Sequence, residues 1–141
     1  MSTPTPPTRS LVIEKDMPHP PEKVWRALTQ APLIDQWLMS NDFQPVVGHR
    51  FTLRTAPMPN WNGIIEGEVQ KVEPTSSLTY TWNSMGLKSA VSWTLTPTKD
   101  GTHVRMEQSG FGPDQDNNYK GASYGWQKFI GGLDRVAGGL S

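Results

Sequence analysis

The segment WQKFIGGLDRVAGGL, residues 126–140, decides the fold of this 141-residue chain. Its apolar residues recur at the i, i+3, i+4, i+7 spacing of one helical face, which predicts an amphipathic C-terminal helix. The stretch from Asp114 to Asn118 places negative charge where a helix dipole favours it, so we expect the N-terminal cap region there. The apolar positions of the helix are Trp126, Phe129, Ile130, Leu133, Val136, Ala137 and Leu140.

Short segments with a period of two precede this helix from Gly48 onward, and the pattern predicts strands with one buried face. Turn sequences separate them, and the pair Asp100-Gly101 is expected to supply the positive φ of a tight hairpin. Such short connections imply antiparallel neighbours. The inward positions are Phe51 and Leu53; Trp61, Ile65 and Val69; Leu78, Tyr80 and Trp82; Val91, Trp93 and Leu95; Val104 and Met106.

The N-terminal half begins with residues 1–8, a Thr/Pro-rich stretch that we expect to be a disordered tail, followed by a single domain over 9–141. Ser10 to Met17 predicts the first strand. Pro21 and Pro32 then open two short helices with apolar residues on one side. The order of strand, two helices, five strands and a last helix is an α+β layout.

Composition excludes several classes of partner. Thirteen basic residues balance thirteen acidic ones without forming a block of either sign, so nucleic acid and anionic membranes are not expected to bind. The chain has no cysteine and no apolar run near the ~20 residues that cross a bilayer, so we expect a cytoplasmic protein without membrane insertion. The three histidines do not converge and are expected to be exposed, so we predict no metal site and no cofactor.

Three groups of residues resemble one known family. They are Pro20 to Thr29 with Ile34 and Trp37; Gly67-Glu68-Val69 leading to Leu78-Thr79-Tyr80-Thr81-Trp82; and Ser109-Gly110-Phe111 before Gly125-Trp126. Together they resemble the START-like, or SRPBCC, superfamily, in the group similar to the C-terminal domain of the activator of the heat-shock protein 90 ATPase.

The resemblance implies a helix-grip fold, in which a curved antiparallel sheet of six or seven strands wraps around the long C-terminal helix and two short helices follow strand one. In many relatives a cavity between sheet and helix takes up lipids, polyketides, hormones or other apolar molecules. The chain departs from the group at Gln108, where many members have a histidine. It also has no room for the separate N-terminal domain of the true co-chaperone.

We therefore predict binding of a small hydrophobic or amphipathic ligand in that cavity, because large rings would hold the helix away from the sheet. Gln108 is the first candidate for orienting the ligand, although a buried amide more often satisfies a neighbouring protein group. Each ring at this spacing, taken alone, is more often ordinary core than part of a binding site, and the expectation of a cavity rests on the rings together. The candidate ligand-binding residues are Trp37, Phe51, Leu53, Tyr80, Trp82, Trp93, Met106, Gln108, Trp126, Phe129 and Ile130.

Two alternatives stay open. One is a co-chaperone-like stress-response module that contacts a chaperone or another protein through its outer surface. The other is a polyketide cyclase-like enzyme, for which we identify no catalytic residue: Glu66 and Glu68 lie opposite to Ile65 and Val69 on their strand and should face solvent. The loop from Pro57 to Asn62 is a candidate lid, or an ordinary surface loop.

Overall fold

Seven strands form one antiparallel sheet in the order β1-β7-β6-β5-β4-β3-β2 in the computed structural model, which describes residues 9–57, 59 and 61–140. Residues 1–8, the expected tail, lie outside the described residues. The elements in chain order are β1 (Arg9–Met17), α1 (Pro21–Thr29), α2 (Ala31–Trp37), β2 (Ser40–Asn41), β3 (Arg50–Arg54), β4 (Ile64–Glu73), β5 (Ser77–Ser84), β6 (Leu87–Pro97), β7 (Thr102–Phe111) and α3 (Asp116–Gly138).

The strands alternate as their sequences predict. On β6, Val91, Trp93 and Leu95 are buried, while the residues between them are more exposed. The adjacent strand β7 pairs Trp93 with Met106 and Val91 with Gln108, which places four inward side chains together at the centre of the sheet. Since side chains alternate strictly along a strand, these contacts follow from the order of polar and apolar residues.

Helix α3 buries the predicted stripe against the concave face of the sheet and against α1 and α2. Trp126, Ile130 and Leu133 are almost completely buried. Gly132 allows the close approach of α2, because a Cβ atom built on it would lie 3.1 Å from the Cβ of Trp37. The helix begins ten residues before Trp126, in the acidic stretch predicted to cap it, and Asp116 lies in its first turn. The predicted helix-grip fold is confirmed.

The structure differs from the sequence predictions at two places: one strand was missed, and one glycine conformation was predicted wrongly. The two-residue strand β2 was not predicted, because a pair of polar residues has no period. Gly101 does not have a positive φ; a Cβ atom on it would lie 2.0 Å from the backbone oxygen of Met17. The glycine is therefore required by the close contact between the β6–β7 turn and the end of β1, because a side chain at this position would force backbone atoms apart.

Within the part of the chain that the structure describes, no helix combines the length and the apolar character that crossing a bilayer requires.

Candidate functional site

The space between the sheet and α3 is filled by aromatic side chains. Trp126 contacts Trp82, Trp93 and Phe129, with ring centroids 5.1, 5.6 and 5.6 Å away. These are ordinary distances for packed rings in tilted or edge-to-face arrangements. The rings that we expected to separate α3 from the sheet therefore pack against one another, and no guest fits between them in this conformation.

A chain of hydrogen bonds crosses this aromatic cluster. The indole Nε1 of Trp126 donates to Oε1 of Gln108 at 2.7 Å, and Nε2 of Gln108 donates to Oγ of Ser89 at 3.0 Å. The Ser89 hydroxyl in turn donates to the backbone oxygen of Trp82. Gln108 faces inward as predicted and is 1% exposed. Its amide nitrogen and its amide oxygen each bond to a protein group, as buried amides commonly do.

One gap in the packing lies elsewhere, beneath α2 and the segment that follows β2. It is a cavity of about 10 Å³, close to the volume that holds one water molecule. Four of the predicted candidates line it, namely Trp37, Phe51, Leu53 and Tyr80. The other seven candidates are not among its lining residues: Trp82, Trp93, Met106, Gln108, Trp126, Phe129 and Ile130. Sequence reasoning missed the remaining lining residues, which are Leu28, Ile34, Leu38 and Phe43.

Tyr80 is the one polar residue in this lining. It is 4% exposed, and its ring contacts the rings of Phe43 and Phe51 with centroids 5.8 and 5.3 Å away. Its hydroxyl oxygen accepts a hydrogen bond from Nε1 of Trp93 at 3.0 Å. Burial raises the pKa of Tyr80, and the bond from Trp93 only partly offsets this, so the side chain stays a neutral hydroxyl.

The hydroxyl of Tyr80 has an unused donor hydrogen. Among the residues that the structure describes, the bond accepted from Trp93 is its only hydrogen bond, and no oxygen or nitrogen accepts from it. Buried hydroxyl hydrogens normally find an acceptor. The cavity beside Tyr80 is large enough for one acceptor atom, such as the oxygen of a water molecule.

The cavity is covered on one side by α2 and by the segment after β2, which contains Phe43. Helix α2 has seven residues and β2 pairs only Ser40 with Arg54 and Asn41 with Leu53. After β2 the chain places Phe43 against the cavity, held by a bond of 3.1 Å from its backbone nitrogen to Oδ1 of Asn41. Further bonds hold the same segment: Nδ2 of Asn41 donates to the backbone oxygen of Ala31 at 3.1 Å, and Oδ1 of Asp42 accepts from the backbone nitrogen of Thr52 at 2.7 Å.

The proposed lid loop is tied to the sheet at one end. Nε1 of Trp61 donates to Oγ of Ser84 on β5 at 2.7 Å. Met58 lies outside the described residues. On the next strand Glu66 and Glu68 face outward as predicted, and the side chain of Glu68 is 45% exposed.

The histidines are partly buried, which corrects the expectation that all three would be exposed. Nε2 of His19 forms a hydrogen bond with Oδ1 of Asp134 on α3 at 2.7 Å. Burial alone would raise the pKa of Asp134, but the hydrogen bonds from His19 and Lys15 lower it by more, so the pKa of this carboxyl group lies below its ordinary value. His103 lies on the outer face of the sheet. Within the described residues, no group of three side chains is placed to hold a metal ion.

We expect His103 to titrate above the ordinary histidine value. Its ring nitrogens bond to Glu14 at 3.0 Å and to Asp16 at 2.7 Å, and both bonds, Glu14 first, raise its pKa above 6.5. A raised folded-state pKa means that this pair of bonds stabilises the fold fully below pH 6.5 and loses its effect as the pH rises through the folded pKa. An NMR titration of the imidazole measures this pKa; Glu14→Gln should lower it, and a wild-type value at or below 6.5 would contradict the assignment.

Comparison with known proteins identifies the family. The family described as Activator of Hsp90 ATPase homolog 1-like protein matches residues 18–138. Protein MLL2253 from Mesorhizobium loti is 49% identical, with a TM-score of 0.87 over 94% of this chain and 99% of that one. CalU16 from Micromonospora echinospora is 23% identical (TM-score 0.76; 92% and 76% covered), and BH1534 from Bacillus halodurans is 24% identical (TM-score 0.77; 92% and 96% covered).

A comparison with curated proteins gave no match. The two structures below 25% identity show the fold alone, a sheet closed around a long helix. The family match starts directly after β1 and includes all three helices. The chain therefore belongs to the Activator of Hsp90 ATPase homolog 1-like family, within the START-like superfamily.

Proposed function

We propose that this protein binds a small, mainly apolar molecule in an enlarged form of the cavity beneath α2 and the segment that follows β2. The observation that supports this site is a gap in the packing that is lined by four of the predicted ligand-binding residues, namely Trp37, Phe51, Leu53 and Tyr80. Seven of the eight lining residues are apolar, and the eighth, Tyr80, offers one hydroxyl.

Binding requires Phe43 to move. Its side chain is 5% exposed and contacts Phe51 and Tyr80, so its ring occupies the space next to the gap. Rotation of this one ring would join the gap to the surface between α2 and β3. A closed pocket that a ligand opens is a minor conformation made dominant by binding, and its apparent affinity is reduced by the cost of opening.

The affinity expected from such a site is modest. Burying ~200 Å² of apolar ligand surface at ~25 cal/mol per Å² gives about 5 kcal/mol. Lost translational freedom and the displacement of Phe43 offset much of it. We therefore expect dissociation constants of about 1 mM or weaker for small ring compounds, and tighter binding only for a ligand that fits the opened pocket closely.

The test is ligand-induced stabilisation of the wild-type protein by a panel of lipids, flavonoids and polyketides. A ligand should raise the melting temperature by mass action and shift NMR signals of Leu28, Phe51 and Tyr80 more than those of Trp126. In Phe43→Ala the same ligand should bind more tightly, because no ring has to be displaced. The matched control is Phe129→Ala, a truncation of a partly buried ring that does not line the cavity.

The result that would overturn the proposal is a panel in which no compound binds the wild type and Phe43→Ala gains no affinity for small aromatic compounds. That outcome favours the alternative of a module acting through its outer surface.

A further inference from the structure

We infer that the ligand presents a neutral hydrogen-bond acceptor, such as a ketone, quinone or lactone oxygen, to the hydroxyl of Tyr80. The inference rests on the proposed function and specifies the chemical class that the cavity selects. It starts from the donor hydrogen of Tyr80, which has no acceptor among the described residues although the side chain is 4% exposed.

The direction of the existing bond determines what the ligand must supply. Trp93 Nε1 can only donate, so it occupies an acceptor position on the Tyr80 oxygen and leaves the O–H hydrogen for another group. A ligand that is only a donor would compete with Trp93 for the same oxygen. A ligand with an acceptor oxygen would add a bond without breaking one.

The surroundings of Tyr80 favour a neutral acceptor over a carboxylate. Among the described residues no cationic side chain lines the cavity, and the seven that line it besides Tyr80 carry hydrocarbon or indole side chains. A carboxylate placed there would lose its hydration without a counter-charge, which is far more costly than burying a carbonyl group. Fatty acids with a buried head group are therefore disfavoured, and cyclic or aromatic carbonyl compounds are favoured.

The preference for a carbonyl compound over a hydrocarbon depends on the hydrogen bond that the Tyr80 hydroxyl cannot make to a hydrocarbon. A guest without an acceptor displaces any water from the cavity and leaves the hydroxyl donor buried and unpaired, whereas a carbonyl compound replaces the bond to that water. We expect a carbonyl compound to bind about tenfold more tightly than a hydrocarbon of the same shape.

The experiment uses two probes of nearly identical shape, acetophenone and α-methylstyrene, in which a carbonyl oxygen is replaced by a methylene group. NMR titrations of the wild-type protein should give about tenfold tighter binding of acetophenone. In the double variant Tyr80→Phe/Trp93→Phe the two affinities should agree within about threefold, because neither the hydroxyl nor the indole donor remains. Trp93→Phe is the control, since it removes the indole bond but keeps the hydroxyl, and it should preserve the preference for acetophenone.

The double variant is needed because Tyr80→Phe alone leaves Nε1 of Trp93 without its acceptor and able to donate to the carbonyl oxygen of acetophenone. Equal binding of both probes to the wild type would overturn the inference and leave the proposed function intact. A failure of both probes to bind the wild type and Phe43→Ala would contradict the proposed function itself.

Discussion

Trp126→Ala should lower the free energy of unfolding by about 4 kcal/mol, which corresponds to a fall of roughly 12 °C in the melting temperature of a domain of this size. Trp126 is 2% exposed and contacts three other rings. Its truncation leaves a large apolar cavity and removes the donor that satisfies Oε1 of Gln108. The effect is large because both losses occur at one buried position.

Urea unfolding followed by circular dichroism measures this change, and Tyr124→Ala is the matched control on the same helix. Tyr124 is 68% exposed, so its removal should change the stability by less than about 0.5 kcal/mol. A loss below about 1.5 kcal/mol for Trp126→Ala would mean that the core collapses into the space or that the rings are not packed as described. Loss of ligand binding in this variant would report on core packing, which is why Phe43 is the better position for testing the site.

Much of the architecture was predictable from the sequence because it depends on local periodicity. The inward positions of Met106 and Gln108 follow from alternation along β7, and the buried stripe of α3 follows from its spacing of three and four residues. Such patterns state which face a side chain is on. They do not state how far apart two facing surfaces lie, and a difference of about one ångström separates a packed core from a gap.

The position of the cavity illustrates this limit. Trp93 and Trp126 were expected to keep sheet and helix apart, but their planes lie at 73°, so the edge of one ring packs on the face of the other. Phe43 was not predicted as a core residue because it stands between polar neighbours in a segment with no period, and only the chain path around β2 turns it inward. The sequence also could not predict that the hydroxyl of Tyr80 keeps a donor hydrogen, because this depends on which side chain bonds to its oxygen.

The polar chain through the core leads to the second large effect. Replacing Gln108 by glutamate, a side chain of nearly equal size, should cost about 4 kcal/mol at pH 8 and about 1 kcal/mol or less at pH 4. When protonated, the carboxyl group can accept from Trp126 Nε1 and donate to Ser89 Oγ, as the amide does. When ionised, it is a charge at a position that is 1% exposed, with no cation among its hydrogen-bond partners.

The direction in which the stability of Gln108→Glu changes with pH follows from the linkage between protonation and folding. Burial raises the pKa of the carboxyl group introduced by Gln108→Glu above its value in the unfolded chain, ~4.3, so the folded state holds its proton more tightly. The variant therefore approaches wild-type stability at low pH and loses stability as the pH rises above ~4.3, until the folded pKa is passed. The quantity to measure is the difference in unfolding free energy between variant and wild type, because the pH dependence common to both then cancels.

The control for the added charge is Gln127→Glu, at an exposed position on α3, where the difference from the wild type should stay within about 0.5 kcal/mol at both pH values. Gln108→Leu separates charge from hydrogen bonding, because it leaves Trp126 Nε1 without an acceptor and should cost about 2 kcal/mol independently of pH. If Gln108→Glu instead differed from the wild type by the same amount at pH 4 and pH 8, the carboxyl group would be reaching water. Such access would require the aromatic cluster around Trp126 to open, which would reinstate the space beneath α3 as a site for a guest.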